Sequence, residues 1–306
     1  MSFWKKIALI TVLLIGSSLL IFSVNEPPNE TTTKKKIYND YRVYALPLPN
    51  EMNFAGEPVP LDQPDIRERL DRELLVNAYW QSNGLLIFKR ANKFMQVIEP
   101  LLEKYNLPDD FKYLAIAESG LLDVRSPAGA VGFWQFMPAT AKEYGLEVNK
   151  YVDERYNLEL TTKAAAEYLI SAKEHFGNWT LAAAAYNAGR NGIGRQIVRQ
   201  KTENNYYDLL LNQETSRYIF RILAFKEIMS NPKAYGFHFN ESDLYQPIPV
   251  KKVKVDTTIE DLVDFSKSHG INYKILKIHN PWLRDTKLPN SSGKIYYIDI
   301  PEPGYY

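Results

Sequence analysis

Tyr113–Pro138 reads YLAIAESGLLDVRSPAGAVGFWQFMP, and the placing of one carboxylate within it governs how the rest of the chain is understood. Glu118 ends a short apolar segment (Leu114, Ala115, Ile116, Ala117). A small-residue loop follows, then an apolar, glycine-marked turn and an amide, Gln135, flanked by aromatics. Upstream, Pro108 suits the first position of a helix, and Asp109 and Asp110 suit its first turn. Gly120 suits the C-cap, which leaves Glu118 in the last turn. There the negative end of the helix dipole and the apolar neighbours both disfavour a charged carboxyl, so the pKa of Glu118 is predicted to rise. A carboxylic acid kept protonated near neutral pH is what protonation of a leaving glycosidic oxygen requires. Taken alone, a glutamate at a helix end more commonly makes an ordinary salt bridge.

Composition narrows the field. The chain has 306 residues, 45% hydrophobic and 24% charged, enough for one large or two smaller globular domains. A formal charge of +1 argues against a nucleic-acid binder, which needs clustered Lys and Arg. No cysteine is present, which removes disulfides, thiolate chemistry, cysteine-ligated zinc and a lipid-modified N-terminal cysteine. The four histidines (175, 238, 269 and 279) are scattered, with no pair at the i, i+4 spacing of a zinc helix. There is no G-x-S-x-G, and Gly293-Lys294 lacks the upstream glycine of a phosphate loop. No metal or organic cofactor is implied.

Lys5 and Lys6 precede sixteen uncharged residues, Ile7 to Phe22, the pattern of an export segment. Residues 1–24 read as an uncleaved signal anchor in the inner membrane, because Leu19 to Phe22 are too large for a cleavage site; a cleaved signal peptide is the alternative. Residues 25–64, rich in Pro, Asn, Thr and Lys, read as an extended linker or arm.

From Asp65 the text becomes helical. Ile66, Leu70, Leu74, Leu75 and Ala78 recur at helical steps, and a second run spans Leu85 to Tyr105. Pro138 restarts a helix that runs to Gly145. Thr161 or Thr162 is expected to cap another, ended by Gly177. An alanine-rich stretch to Tyr186 follows, broken at Asn187-Ala-Gly189, then helices at about 191–201 and 214–230, stopped by Pro232. After Ile248 the texture changes: alternating Val250, Val253 and Val255, a capped helix from Thr258, a short helix over Ile271 to Asn280, and a closing strand to Pro301. The expected fold is mostly α over 65–245, with a small α+β module over 248–303.

Three phrases in order, E-S-G at 118–120, S-P-A-G-A-V-G-F-W-Q-F-M-P at 126–138 and A-A-Y-N-A-G at 184–189, make residues 70 to 230 resemble the lytic transglycosylases. These belong to the lysozyme-like superfamily, and the likeness is to the membrane-bound lytic murein transglycosylase D group. The segment after E-S-G departs from that pattern: it reads L-L-D-V-R, one residue shorter and without the usual Asn-Pro. The strand–helix–helix–strand end resembles a lysin motif, a module that binds N-acetylglucosamine-containing glycans, with an imperfect Ile278-His-Asn-Pro-Trp phrase.

The resemblance implies a lysozyme-like helical fold of the goose-type lysozyme/SLT kind and Glu118 as catalytic acid, then base. Ordinary glycosidases need two carboxylates. Asp123, Asp153, Glu154 and Glu214 are available here, but none stands in a motif that marks it as a nucleophile. In the family one glutamate serves both steps. By motif match, Ser119, Ser126, Gln135, Met137, Tyr186, Asn187 and Tyr218 are the expected substrate-binding residues. For Phe133, Trp134 and Phe136, packing under the cleft floor is at least as strong a reading as stacking on sugar. Gly129, Gly132 and Gly189 read as turn glycines. The implied partners are peptidoglycan glycan strands and, through residues 1–24, the inner membrane; no nucleic acid is implied, and the chain is expected to be monomeric in the cell envelope. A non-catalytic wall-binding protein of the same fold, or a lysozyme-type hydrolase, is the alternative function.

Overall fold

Helix α1 (Pro64–Tyr79) opens with proline at its first position and buries Ile66, Leu70, Leu74 and Ala78 along one stripe, as the spacing predicts. The structure, a computed structural model, describes residues 43–306. The expected export segment and the first part of the linker therefore lie outside the described residues. Residues 46–306 form one unit. Among the described residues no helix is long and apolar enough to cross a membrane.

After α1 come α2 (Gln81–Lys104), α3 (Phe111–Ser119), α4 (Pro138–Glu143), α5 (Leu158–Phe176), α6 (Trp179–Ala188), α7 (Arg190–Gln200) and α8 (Gln213–Ser230). The chain is mostly helical, as expected. Helix α8 runs through the middle, with Ile219, Phe220, Ile222, Leu223 and Ala224 fully buried against α1, α3 and α6. The alanines of α6 (Ala182 to Ala185) are all fully buried, so α5 and α6 pack with little side chain between them.

Two expectations at helix starts are corrected. Pro108–Asp110 form a turn closed by i→i−3 bonds, and α3 proper begins at Phe111. The Asp110 carboxylate is occupied elsewhere: it accepts from Ala55 N (2.6 Å) and Lys226 Nζ (2.7 Å). Helix α5 is capped by Asn157, whose side chain accepts from Leu160 N, rather than by Thr161 or Thr162. Those two threonines lie one turn inside the helix and donate back to the carbonyls of Asn157 and Leu158.

The segment read as linker or arm is, over 46–63, docked onto this core. Its short hairpin, β1 (Asn53–Phe54) with β2 (Glu57–Pro58), sets Phe54 edge-on to Phe111 at 5.2 Å, fully buried. Its Glu57 carboxylate accepts from Trp179 N (2.6 Å), Thr180 N (2.9 Å) and the Thr180 hydroxyl (2.6 Å), satisfying the open N-terminus of α6.

The C-terminal module has the expected order: β3 (Val250–Val255), α9 (Leu262–Ser268), α10 (Tyr273–His279) and β4 (Tyr296–Pro301). The strands pair antiparallel from Val250↔Pro301 to Val255↔Tyr296. Asn280 is fully buried and ties α10 to β4, donating to Leu276 O and Asp299 O and accepting from Asp299 N. The module's core gathers Leu262, Leu276, Leu283, Leu288 and Ile298, and with them Val152 from the helical part.

Candidate active site

Helix α3 is short and buried on most sides, and Gly120 (φ +60°) ends it in the left-handed conformation, so Glu118 sits in the last turn as its sequence predicts. Glu118 is half-buried, and the Tyr218 hydroxyl donates a hydrogen bond to its Oε1. Desolvation of the carboxyl raises its pKa to about 7; the Tyr218 bond and the charge of Arg221 oppose that rise, while Glu214 adds to it. Glu214, Tyr218 and Arg221 are spaced i, i+4, i+7 along α8, so one face of that helix sets the electrostatics of Glu118. Tyr218, one of the expected substrate-binding residues, is thus placed directly against Glu118. The roles of Glu214 and Arg221 were missed, although their spacing around Tyr218 carries the signal.

The loop 121–137 follows directly on α3. The Ser119 hydroxyl donates to Phe133 O (2.9 Å), pinning the loop to the end of α3. Tyr186 donates its hydroxyl to Trp134 O (2.7 Å), and Trp134 Nε1 donates to Thr162 (2.9 Å). The Tyr186 hydroxyl is held far from ionisation by burial and then by the nearby Glu118 charge. Gln135 takes a left-handed backbone (φ +50°), and its Nε2 donates to Gly132 O (2.7 Å) and Val124 O (3.2 Å). Phe133, Trp134 and Phe136 are buried, which favours packing over stacking.

The remaining expected residues make no hydrogen bond to Glu118. The Ser126 hydroxyl accepts from Ala130 N (3.0 Å) and closes its own turn. Asn187 Oδ1 accepts from the Thr215 hydroxyl (2.9 Å), which joins the end of α6 to α8. Met137 stands exposed at the entry to α4. Gly129, Gly132 and Gly189 all have positive φ, as turn glycines do. At Gly132 a side chain is also excluded by contact, since a Cβ there would lie 2.1 Å from Arg155 O.

Of the other carboxylates weighed by sequence, Asp153 and Glu154 are buried in ion pairs with Arg155 and Lys294. Asp123 lines a cavity of about 320 Å³ with Phe133 and Trp282. Among the described residues no cluster of His, Cys, Asp or Glu could hold a metal ion.

Residues 96–209 match the family "Transglycosylase SLT domain", and residues 251–304 match "Soluble lytic transglycosylase C-terminal LysM-like domain". The chain thus carries the two parts that its motifs suggested. Among individual proteins, it is 28% identical over 257 residues to membrane-bound lytic murein transglycosylase D of Escherichia coli, which covers 81% of this chain and 55% of the relative. A putative tributyltin chloride resistance protein from an Alteromonas species is 30% identical over 118 residues, 38% of this chain and 57% of its own. The chain spans about half the length of the curated relatives it matches. Two solved structures are also similar. The 70 kDa soluble lytic transglycosylase of Escherichia coli (TM-score 0.40, 20% identity) covers 59% of this chain and 32% of its own. The lytic transglycosylase Slt of Pseudomonas aeruginosa (TM-score 0.38, 18% identity) covers 59% and 35%.

Proposed function

We propose that this chain is a peptidoglycan lytic transglycosylase with Glu118 as its single acid and base. It cleaves the β-1,4 bond between N-acetylmuramic acid and N-acetylglucosamine and leaves a 1,6-anhydro-muramic end. The observation that carries this reading is the placing of Glu118 in the last turn of α3, bonded by the Tyr218 hydroxyl, in a stretch that matches the SLT domain; desolvation pushes its pKa up to about 7. A group with that pKa is protonated often enough to act as acid, and its conjugate is basic enough to take a proton back.

Glu118 gives its proton to the glycosidic oxygen as the C1–O bond breaks. The substrate's own acetamido group supports the anomeric carbon. The Glu118 carboxylate then takes the proton of the muramoyl C6 hydroxyl while O6 bonds to C1, which returns the enzyme to its starting state. Tyr218 steadies the carboxylate between the two steps through its hydrogen bond. Ser119 and Tyr186 hold the loop that follows Glu118. Gln135 has committed its amide N–H groups to the loop, so its oxygen is what remains to accept from a substrate N–H. Asn187 has the converse arrangement, with its oxygen occupied and its amide N–H groups left to donate. Ser126 and Met137 are assigned to the substrate-binding set by their motif alone. The E. coli relative is named membrane-bound, which supports a place in the cell envelope, with residues 1–24 as anchor or signal.

The test is mass spectrometry of purified murein sacculi digested by the protein, wild type beside Glu118→Gln. Muropeptides ending in 1,6-anhydro-muramic acid with wild type alone are expected. Reducing ends would make the protein a hydrolase, and undigested sacculi that nevertheless retain the protein would make it a wall-binding protein.

A further inference from the structure

The C-terminal module meets the helical part along the segment 147–156, and the contact is more than a surface touch. Val152 pairs with Leu283 in a β-bridge, Asp153 N donates to Trp282 O (2.9 Å), and Arg284 N donates to Tyr151 O (2.8 Å). The Val152 side chain is a member of the module's own core. Lys294 places its ammonium 2.7 Å from both Glu147 and Glu154, and the Tyr296 hydroxyl donates to Glu147 (2.9 Å). The module therefore holds this segment by backbone, apolar and ionic contacts at once.

The same segment carries the support of the loop that follows Glu118 and is bonded to Ser119 beside it. Arg155 is buried, with Nε and Nη2 on the two oxygens of Asp153 (2.9 and 2.7 Å). Its remaining Nη1 donates to Gly129 O (3.0 Å) and Phe136 O (3.1 Å), at the two ends of the glycine-marked turn. Gly132 leaves no room between that turn and the Arg155 carbonyl. Phe133 O in turn receives the Ser119 hydroxyl, next to Glu118.

We infer that the LysM-like module is a positioning element of the active site, acting through Asp153 and Arg155 on the loop 126–136. This rests on the function proposed above only for its effect on substrate. An independent glycan-binding module needs only a tether, whereas this one is joined through two backbone bonds, a shared core residue and a cation shared by two carboxylates. Arg155 is a positioning residue: it reaches the cleft only through the carbonyls that it fixes.

The test uses the full chain as wild type, Lys294→Met, Arg155→Met and Arg155→Lys. Hydrogen exchange is followed in the peptide covering 124–137, with unfolding temperature, KM and kcat on murein measured beside it. Lys294 touches no part of the cleft, so Lys294→Met perturbs the seam alone. Expected are faster exchange at the Ser126, Val131 and Gly132 amides and a KM raised about threefold to tenfold, with kcat within about twofold. Arg155→Met is expected to do the same more strongly, with Arg155→Lys recovering part of the loss. A lowered unfolding temperature with the 124–137 exchange and KM unchanged would overturn the inference, as would faster exchange confined to 147–156. If wild type cleaves no murein, the functional proposal fails, while the exchange measurement still decides whether the module holds the loop.

Discussion

Replacing Tyr218 by phenylalanine removes one hydroxyl from beside Glu118 and leaves the ring that fills the core. The hydroxyl donates to the carboxyl and is one of two influences holding the Glu118 pKa down against desolvation. A hydrogen bond to a charged group in such a setting contributes about 1.5–3 kcal/mol. At about 1.4 kcal/mol per pH unit, its loss moves the pKa up by about one to two units. From its present value of about 7, Glu118 in Tyr218→Phe is expected to titrate near 8 to 9. The sign follows from the mechanism: the first step needs the acid form, so activity holds below this pKa and falls above it. The alkaline limb of the kcat–pH profile on murein should therefore shift upward in Tyr218→Phe. Glu214→Gln removes a like charge, so its limb should shift downward. Carbon-13 titration of the Glu118 carboxyl by NMR gives the same quantity without turnover. An alkaline limb that stays in place, or moves the same way in both variants, would refute this account of the Glu118 environment.

Stability is expected to depend on pH through the same group. Glu118 titrates near 4.5 when unfolded and near 7 when folded, so its contribution is full below 4.5 and is lost as pH rises through 7. The span corresponds to about 3 kcal/mol, so Glu118→Gln should gain on wild type by about that amount between pH 4 and pH 8 in urea unfolding. An equal gain at both pH values would count against the raised pKa. Gly132→Ala forces a Cβ to within 2.1 Å of Arg155 O at a φ of +79°. It should cost about 3 kcal/mol or more in the same assay, and a loss under about 1 kcal/mol would mean the turn yields freely. Glu57→Ala leaves two backbone N–H groups of the α6 N-terminus and the Thr180 hydroxyl without their acceptor, while Asn178 still caps Leu181 N. The expected loss is about 1.5–3 kcal/mol, and no change would show that the hairpin does not hold α6.

The helices were legible because their cause is local. Apolar residues at three- and four-residue steps marked α1 and α2, and glycines able to adopt positive φ marked the ends of α3 and α5. The position of Glu118 followed from the same rules. What escaped reading was set by partners distant in sequence. Asp110 looked like a first-turn residue, yet its oxygen is used by Ala55 and Lys226. Asp153 and Glu154 looked like spare carboxylates, and only the folded chain brings Lys294 and Trp282 to them. The low-complexity look of residues 46–63 concealed Phe54 and Glu57, whose places depend on Phe111 and α6. Thr161 and Thr162 have side chains of the capping type, but Asn157, four residues upstream of Thr161, accepts the orphan N–H instead.

The polar residues picked out by motif add a further point. Ser119, Ser126, Gln135, Tyr186 and Asn187 all bond to protein in the folded chain, and mostly to backbone carbonyls or N–H groups of the cleft. A motif of this kind marks groups that hold the folded chain, and on the proposed function the same groups also touch sugar. The two duties are compatible because each side chain has more hydrogen-bonding capacity than its structural bond uses. The structural bond also selects which capacity is left: an acceptor at Gln135, donors at Asn187. On the proposed function these structural bonds fix the polarity that Gln135 and Asn187 offer before substrate arrives. That is the condition under which binding energy goes into orienting the scissile bond instead of ordering the loop.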